Sequence, residues 1–352
     1  MNVDYIRLVP HVASIICYNT RMAKRLTKEN LFKIGALVLT VAAFAGAVFA
    51  VSKIMAGRNE STPVHTGRSR QVFTHDGKDY YLNDNIETIL VMGIDTDGNI
   101  GQTGKYVNNS QADVIYLFVI DNKAKTYRTL QLNRNTITGI KTLSADGRDT
   151  GITNMQLSLS HSYGRDDSDR CLNTVDAVSA LLCDIDIDHY VSLTMDAIPV
   201  LNDSVGGVTV TVPEDMTAAD PSFVKGATVT LHGDQAEKFV RSRMSLPNDT
   251  NEFRMQRQQL FMSDWRDKVN SKIGGDLGFA LNMILNISPY MVSDMSVNAL
   301  ADFANTLSDY EDLGSMSPEG EVRDGELFKE FIVDQDDLED KVVELFYEEA
   351  GN

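Results

Sequence analysis

The stretch "VIYLFVI", Val114–Ile120, is apolar at every position. A strand with one wet face alternates polar and apolar residues, so an unbroken apolar run reads as a strand covered on both faces. The neighbouring segments fit around it. "ETILVMGID" (Glu87–Asp95) reads as a strand before it. After the turn "DNKAK", "TYRTLQLN" (Thr126–Asn133) alternates like a hairpin partner. Further on, "LNTVDAVSALLC" (Leu172–Cys183) has helical spacing and "HYVSLTM" (His189–Met195) reads as a strand. "DAIPVLNDSVGG" reads as a helix closed by glycine, and "GVTVTVP" (Gly207–Pro213) as a strand. Gly233–Arg241 and Glu252–Val269 read as helices. Helices alternating with strands around a doubly covered sheet predict an α/β fold, a three-layer α-β-α sandwich. The hairpin makes its central sheet mixed.

Outside this block the pattern changes on both sides. Ile34–Val51 is 18 residues without a charge, and it continues through Lys53 to "IMAG". With Lys53 snorkelling, such a segment can cross a hydrocarbon core of roughly 30 Å. Residues 1–58 hold eight basic residues against two acidic ones, a net +6, which leaves −24 for the rest of a chain whose formal charge is −18. Basic residues ahead of an apolar span place the N-terminus in the cytoplasm. The alternative is a cleaved signal peptide, for which "AGA" and "VFA" would serve as cleavage sites. The start can be Met1 or Met22. The expected layout is a cytoplasmic tail over 1–33, a transmembrane helix over 34–56, a polar extracytoplasmic linker over 57–85 and a catalytic domain over 86–272. An acidic α/β extension follows over 273–352, with helical segments such as "DDLEDKVVELFYEEA" and a strand in "ELFKEFIV".

A body this acidic repels nucleic acid, so any polyanion it binds must be held by a local basic cluster. Cys17, Cys171 and Cys183 imply no disulfide framework. The last two flank one predicted helix, about 18 Å apart, beyond disulfide reach. The six histidines form no zinc-ligand spacing.

Asp95 ends an apolar strand and Asp113 immediately precedes the buried one. Ligands bind at strand ends in open α/β sheets, and two carboxylates there can hold a hard cation such as Mg²⁺, which takes its remaining oxygens from water and phosphate. Asp at such places also serves as a turn or cap residue. "VRSRMSLPNDTNEFRMQRQQ" (Val240–Gln259) carries Arg241, Arg243, Arg254 and Arg257 without a lysine. Arg254, Arg257 and Gln258 share one helix face. Arg241 and Arg243 would diverge by about 200° in a continuous helix, so they reach one ligand only if the chain leaves the helix near Ser242. Arginine suits planar, bidentate contact with phosphate, so the cluster reads as a phosphate or pyrophosphate site, or else as a set of exposed ion pairs. Arg134, in "QLNRNT", ends the hairpin strand.

The succession "ILVMGID", Asp113, "LNRNT", "GGVTVTVPEDM", "LHGDQAEKFVRSR" and "FRMQRQQ" resembles the LytR-CpsA-Psr family over Glu87–Val269, together with the preceding anchor. The resemblance implies a membrane-anchored enzyme outside the cytoplasm. It would move a glycopolymer, such as a teichoic acid or capsular polysaccharide, from a polyprenyl-pyrophosphate carrier to a peptidoglycan hydroxyl, forming a phosphodiester. It implies Mg²⁺, with Mn²⁺ as an alternative, on Asp95 and Asp113. It makes Arg134, Arg241, Arg243, Arg254 and Gln258 the pyrophosphate-binding set, Asp95, Asp113 and Arg134 the catalytic one, and Arg257 a position of open role. The family's usual Pro-Arg-Asp reads Asn133-Arg134-Asn135 here. Two other readings remain: a hydrolase that cleaves the pyrophosphate lipid with water, and a non-catalytic membrane protein that holds the lipid-linked polymer.

Overall fold

The computed structural model describes residues 72–96, 110–242, 251–273, 276, 278–325 and 328–349. The apolar span 34–56, the cytoplasmic tail and Arg243 lie outside the described residues. Among the described residues no helix is long and apolar enough to cross a membrane.

In chain order, β1 (Val72–His75), β2 (Lys78–Leu82), β3 (Ile86–Ile94), β4 (Ala112–Asp121), β5 (Thr126–Gln131), β6 (Ile137–Leu143) and β7 (Asp149–Gln156) come first. There follow α1 (Asp167–Leu181), β8 (His189–Thr194), α2 (Ala197–Ser204), β9 (Thr209–Thr211), β10 (Thr228–Thr230), α3 (Asp234–Arg241) and α4 (Asn251–Ile273). The chain continues with α5 (Phe279–Ile287), β11 (Met291–Ser293), α6 (Val297–Leu307), β12 (Glu311–Met316), β13 (Gly320–Asp324), β14 (Lys329–Val333), α7 (Gln335–Phe346) and β15 (Tyr347–Glu349).

Six strands form the central sheet in the order β11-β8-β3-β4-β5-β12. It is mixed: β3 runs parallel to β8 and β12 parallel to β5, whereas β4 is antiparallel to both neighbours. The apolar run of β4 is covered on both faces, as its composition requires. Ile115, Leu117 and Val119 enter one core with Leu90, Met92 and residues of α1 and α7. Phe118 packs into the opposite core with Val91, Leu193 and residues of α3, α4, α5 and α6. These are the three layers.

Residues beyond 272 contribute the two outer strands of the central sheet, β11 and β12, and α7 buries Leu338, Val342, Leu345 and Phe346 in the first core. Within the polar stretch that reads as a tether, β1 and β2 form a hairpin, and β2 pairs antiparallel with β15. The alternating "VFTH" and "KDYYL" carry just enough apolar residues, Phe73, Tyr80 and Leu82, to pack against the first core.

Candidate functional site

Topology gathers the site at one end of the central sheet. The antiparallel β3–β4 and β4–β5 pairings bring the end of β3, the start of β4 and the end of β5 together. The register shift between Gly93 and Ile94 lies just before Asp95, where an irregularity re-aims the chain. The Asp95 amide then donates to the Gln111 carbonyl at 2.9 Å, tying the two strand ends.

Asp113 is buried, and a guanidinium lies against each of its oxygens. Arg254 Nη1 donates to its Oδ2 at 2.9 Å, and Arg134 Nη1 pairs with its Oδ1. Arg134 also reaches the Gln111 side chain and, at 3.2 Å, Ser158 Oγ. Arg254 is 2 % exposed and Arg134 8 %. Two buried guanidiniums around one buried carboxylate leave a net positive charge in a low-dielectric place, which favours an incoming anion.

Arg241 ends α3. The chain leaves the helix at Ser242 (φ −55°, ψ 130°), the place where an exit was expected if Arg241 and Arg243 share a ligand. Arg241 Nη2 pairs with Asp95 Oδ1 at 2.6 Å and Nη1 with Glu237 Oε1 at 2.8 Å. Asp95, Asp113, Arg241 and Arg254 line one open cleft of about 560 Å³ with Ala219, Asp234, Glu237, Lys238 and Ser242. Sequence reasoning had not singled out Asp234, Glu237 or Lys238. The available signal was Glu237 one helical turn before Arg241.

Arg257 has a different place. It is 1 % exposed, pairs with Glu214, donates through Nε to the Phe239 carbonyl at 2.9 Å and reaches the Ser242 carbonyl. It is therefore no exposed helix-face ion pair. It satisfies carbonyls at the end of α3, which α3's own helix cannot do, and so positions Arg241. Gln258 lies one turn beyond Arg254, donating to the Val240 carbonyl at 3.4 Å and accepting from Gln131 at 3.3 Å. The Asn135 side chain accepts from Gln156, and its carbonyl accepts from the Phe331 amide. The acid's replacement at 135 thus sits where the chain meets β7 and β14, while Asp113 holds the Arg134 guanidinium.

Next to the cleft an apolar groove of about 110 Å³ opens between sheet and helices. Gly93, Val114, Met195, Val240, Gln258 and Phe261 are among its walls. Gln258 in the groove wall lies one helical turn from Arg254 in the cleft wall, so charged cleft and apolar groove are neighbours along α4. The donor chemistry fits a hard divalent cation: Asp95 and Asp113 line one cleft, and Mg²⁺ asks for one or two carboxylates with phosphate oxygens and water completing its shell. Among the described residues no three His, Cys, Asp or Glu side chains converge into a complete protein cage.

The site thus combines, in an α/β sandwich, a buried arginine–carboxylate cluster at one sheet end with an apolar groove beside it. The LytR_cpsA_psr family model matches residues 48–344, most of the 352-residue chain, and the protein belongs to that family. Among its relatives, Biofilm regulatory protein A of Streptococcus mutans is 30 % identical over 206 residues, covering 56 % of this chain but only 47 % of the relative. The polyisoprenyl-teichoic acid–peptidoglycan teichoic acid transferase TagU of Bacillus cereus is 22 % identical over 279 residues, covering 78 % of this chain and 84 % of that one. Among solved structures, "TagT bound to LIIa-WTA" superimposes with a TM-score of 0.56 at 22 % identity, over 74 % of this chain and 90 % of the other. Bacillus subtilis TagT gives 0.54 at 22 %, over 79 % and 96 %. These structural likenesses carry the fold.

Proposed function

We propose that the protein is a membrane-anchored, extracytoplasmic transferase that moves a glycopolymer from a polyprenyl-diphosphate carrier onto a peptidoglycan sugar hydroxyl. Family membership and relatives named as teichoic acid transferases support the broader role, attachment of cell-wall polymers to peptidoglycan. The observation that carries the finer reading is the meeting of the Arg134–Asp113–Arg254 cluster with an apolar groove. A diphosphate belongs in the first and a hydrocarbon tail in the second.

Phosphoryl transfer needs positioning and charge neutralisation more than covalent help from the protein. Arg134, Arg241 and Arg254 would bind the diphosphate oxygens in forked, charge-assisted contacts. The acceptor oxygen attacks the phosphorus that bears the glycopolymer. The bond from that phosphorus to the bridging oxygen breaks, and the lipid monophosphate leaves. The proton of the acceptor hydroxyl would pass to a carboxylate open to the cleft, Asp95 or Glu237, both more exposed than the buried Asp113.

A divalent cation on Asp95 and Asp113 would supply Lewis-acid stabilisation of the developing phosphate charge. Charge balance supports it. The cleft and its floor set Arg134, Lys238, Arg241 and Arg254 against Asp95, Asp113, Asp234 and Glu237. Freeing the arginines for an anion leaves those carboxylates needing a cation.

The test is incubation of the full-length chain with a lipid-diphosphate oligosaccharide and a peptidoglycan fragment, followed by mass spectrometry. A phosphodiester-linked adduct is expected. Free oligosaccharide phosphate alone would make the protein a hydrolase, and unchanged lipid would make it a binding protein.

A further inference from the structure

Helix α3 lines the cleft with Asp234, Glu237, Lys238 and Arg241, spaced as one helix face. Arg241, at its end, is shared between two acids. Its Nη1 donates to Glu237 Oε1 at 2.8 Å and its Nη2 to Asp95 Oδ1 at 2.6 Å. Resting on the transferase reading, we propose that Glu237 is the general base of the transfer, and that its ion pair with Arg241 holds it back until a diphosphate is bound.

Burial decides which guanidinium can change partners. Arg254 is 2 % exposed and sits against the buried Asp113. The Arg241 and Glu237 side chains are 40 % and 23 % exposed, and an ion pair that open to water is weakly held. A diphosphate offers Arg241 several charged oxygens in a forked contact, which outcompete a single carboxylate. Its arrival turns the guanidinium toward the ligand and releases Glu237 Oε1 to the cleft. In the empty site that oxygen is taken by Arg241.

In-line geometry selects Glu237 among the acids of the cleft. The tail belongs in the groove, which α3 meets through Val240 near its C-terminal end, so the departing lipid phosphate lies on that side of the diphosphate. In-line displacement puts the attacking oxygen on the opposite side of the phosphorus, toward the start of α3. Glu237 stands one turn back from Arg241 in that direction, about 6 Å along the axis, whereas Asp234 is about 10 Å back. Asp113 is buried between two guanidiniums, and Asp95 shares its sheet end, in the carboxylate pair that suits a cation. In the step, the acceptor oxygen bonds to the phosphorus as its proton moves to Glu237 Oε1. The bond from phosphorus to the bridging oxygen breaks, and its electron pair leaves with the lipid phosphate. Because Glu237 opens only after the donor has taken Arg241, the order of binding is donor first and acceptor second.

The experiment uses the full-length chain in nanodiscs, with a farnesyl-diphosphate-linked disaccharide as donor and a soluble peptidoglycan glycan fragment as acceptor. Turnover is read by mass spectrometry, and donor binding without acceptor by calorimetry. Glu237→Gln keeps the shape and removes the charge. Its kcat should fall about a hundredfold or more, while its donor binding tightens about two- to fivefold because the competing carboxylate is gone. Glu237→Asp, a carboxylate on a shorter stem, should retain more turnover than the amide. Both variants should keep the wild-type thermal unfolding midpoint. Turnover and donor binding that weaken together in Glu237→Gln would reduce Glu237 to a buttress of Arg241, and unchanged turnover would leave it without a part in the chemistry; either result overturns the proposal. A wild type that forms no phosphodiester adduct overturns the transferase reading itself, and the base falls with it.

Discussion

At the residue scale, burial separates the arginines that read alike in sequence. Arg257 and Glu214 are 1 % and 6 % exposed and face one another, so removing one strands the other's charge. Arg257→Ala should cost about 3–5 kcal/mol in urea unfolding, and the apolar pair Arg257→Met with Glu214→Leu should recover much of it. A loss under about 1 kcal/mol would return Arg257 to the surface. Arg254→Ala and Arg134→Ala should instead weaken lipid-diphosphate binding about ten- to a hundredfold, since each charge-assisted bond contributes roughly 1.5–3 kcal/mol. Arg→Lys should not restore it, because lysine keeps the charge and loses the fork. His161 gives a pH signature. It is buried beside Ser110 and Cys171, and burial lowers its pKa from 6.5 to about 4, with the Ser110 backbone bond opposing and Arg170 assisting. Its folded pKa is depressed, so this stability is fully present above pH 6.5 and is lost as pH falls toward 4, where the unfolded state takes the proton first. The full loss is on the order of 3 kcal/mol. Unfolding midpoints compared at pH 7 and pH 4.5 should show a smaller pH drop in His161→Gln than in the wild type, and equal drops would contradict the assignment.

At the element scale, the corner between α2 and β9 shows how a turn supports the site. Gly207 adopts φ +91°, and a Cβ there would meet the Leu231 carbonyl at 2.5 Å. That carbonyl already accepts from Asn202 Nδ2 at 2.9 Å, and Asn202 Oδ1 accepts from the Val208 amide. The corner launches β9 toward Glu214, which holds Arg257 and through it the end of α3. Gly207→Ala should therefore destabilise by about 3 kcal/mol, from backbone strain and close contact together. A loss below about 1 kcal/mol in denaturant titration would show that the corner yields.

At the scale of the whole molecule, the described body from β1 to β15 behaves as one unit in its packing. The first and last parts of the described body meet where β15 pairs with β2, and α7 fills the core beneath β4. Removing residues 335–352 should abolish the cooperative transition rather than shorten an appendage, as read by near-UV circular dichroism and calorimetry. A truncated chain that still melts cooperatively would make the C-terminal segment independent. Charge acts at the same scale. Arg241 is held by Asp95 and Glu237, and Arg254 and Arg134 by Asp113, in a protein of net charge −18. Anion and cation should each release the other's partner, so calorimetry should find diphosphate binding about tenfold tighter with Mg²⁺ and, by linkage, Mg²⁺ binding tighter by the same factor with diphosphate. Asp95→Asn should raise cation-free diphosphate affinity and remove the enhancement. Independent binding of the two ions would sink the exchange.

The sequence by itself determined the sandwich, because an apolar run such as Val114–Ile120 has no stable solution except burial on both faces. It also located Asp95, Asp113 and Arg134 at strand ends, and the "MSLPND" after Arg243 favoured a break near Ser242, since these follow from local patterns of polarity and turn residues. Tertiary structure decided what those patterns leave open. Arg254 and Arg257 share a helix face and a residue type, yet Arg254 faces the cleft while Arg257 lies under the end of α3. The difference is set by which neighbours, Asp113 or Glu214, the fold brings from over 40 positions away. The hairpin of residues 72–82 escaped a reading of polarity because its partner, β15, lies at the far end of the chain. The apolar groove was equally invisible, since a cavity is the space that several distant elements fail to fill, and no local run of residues records it.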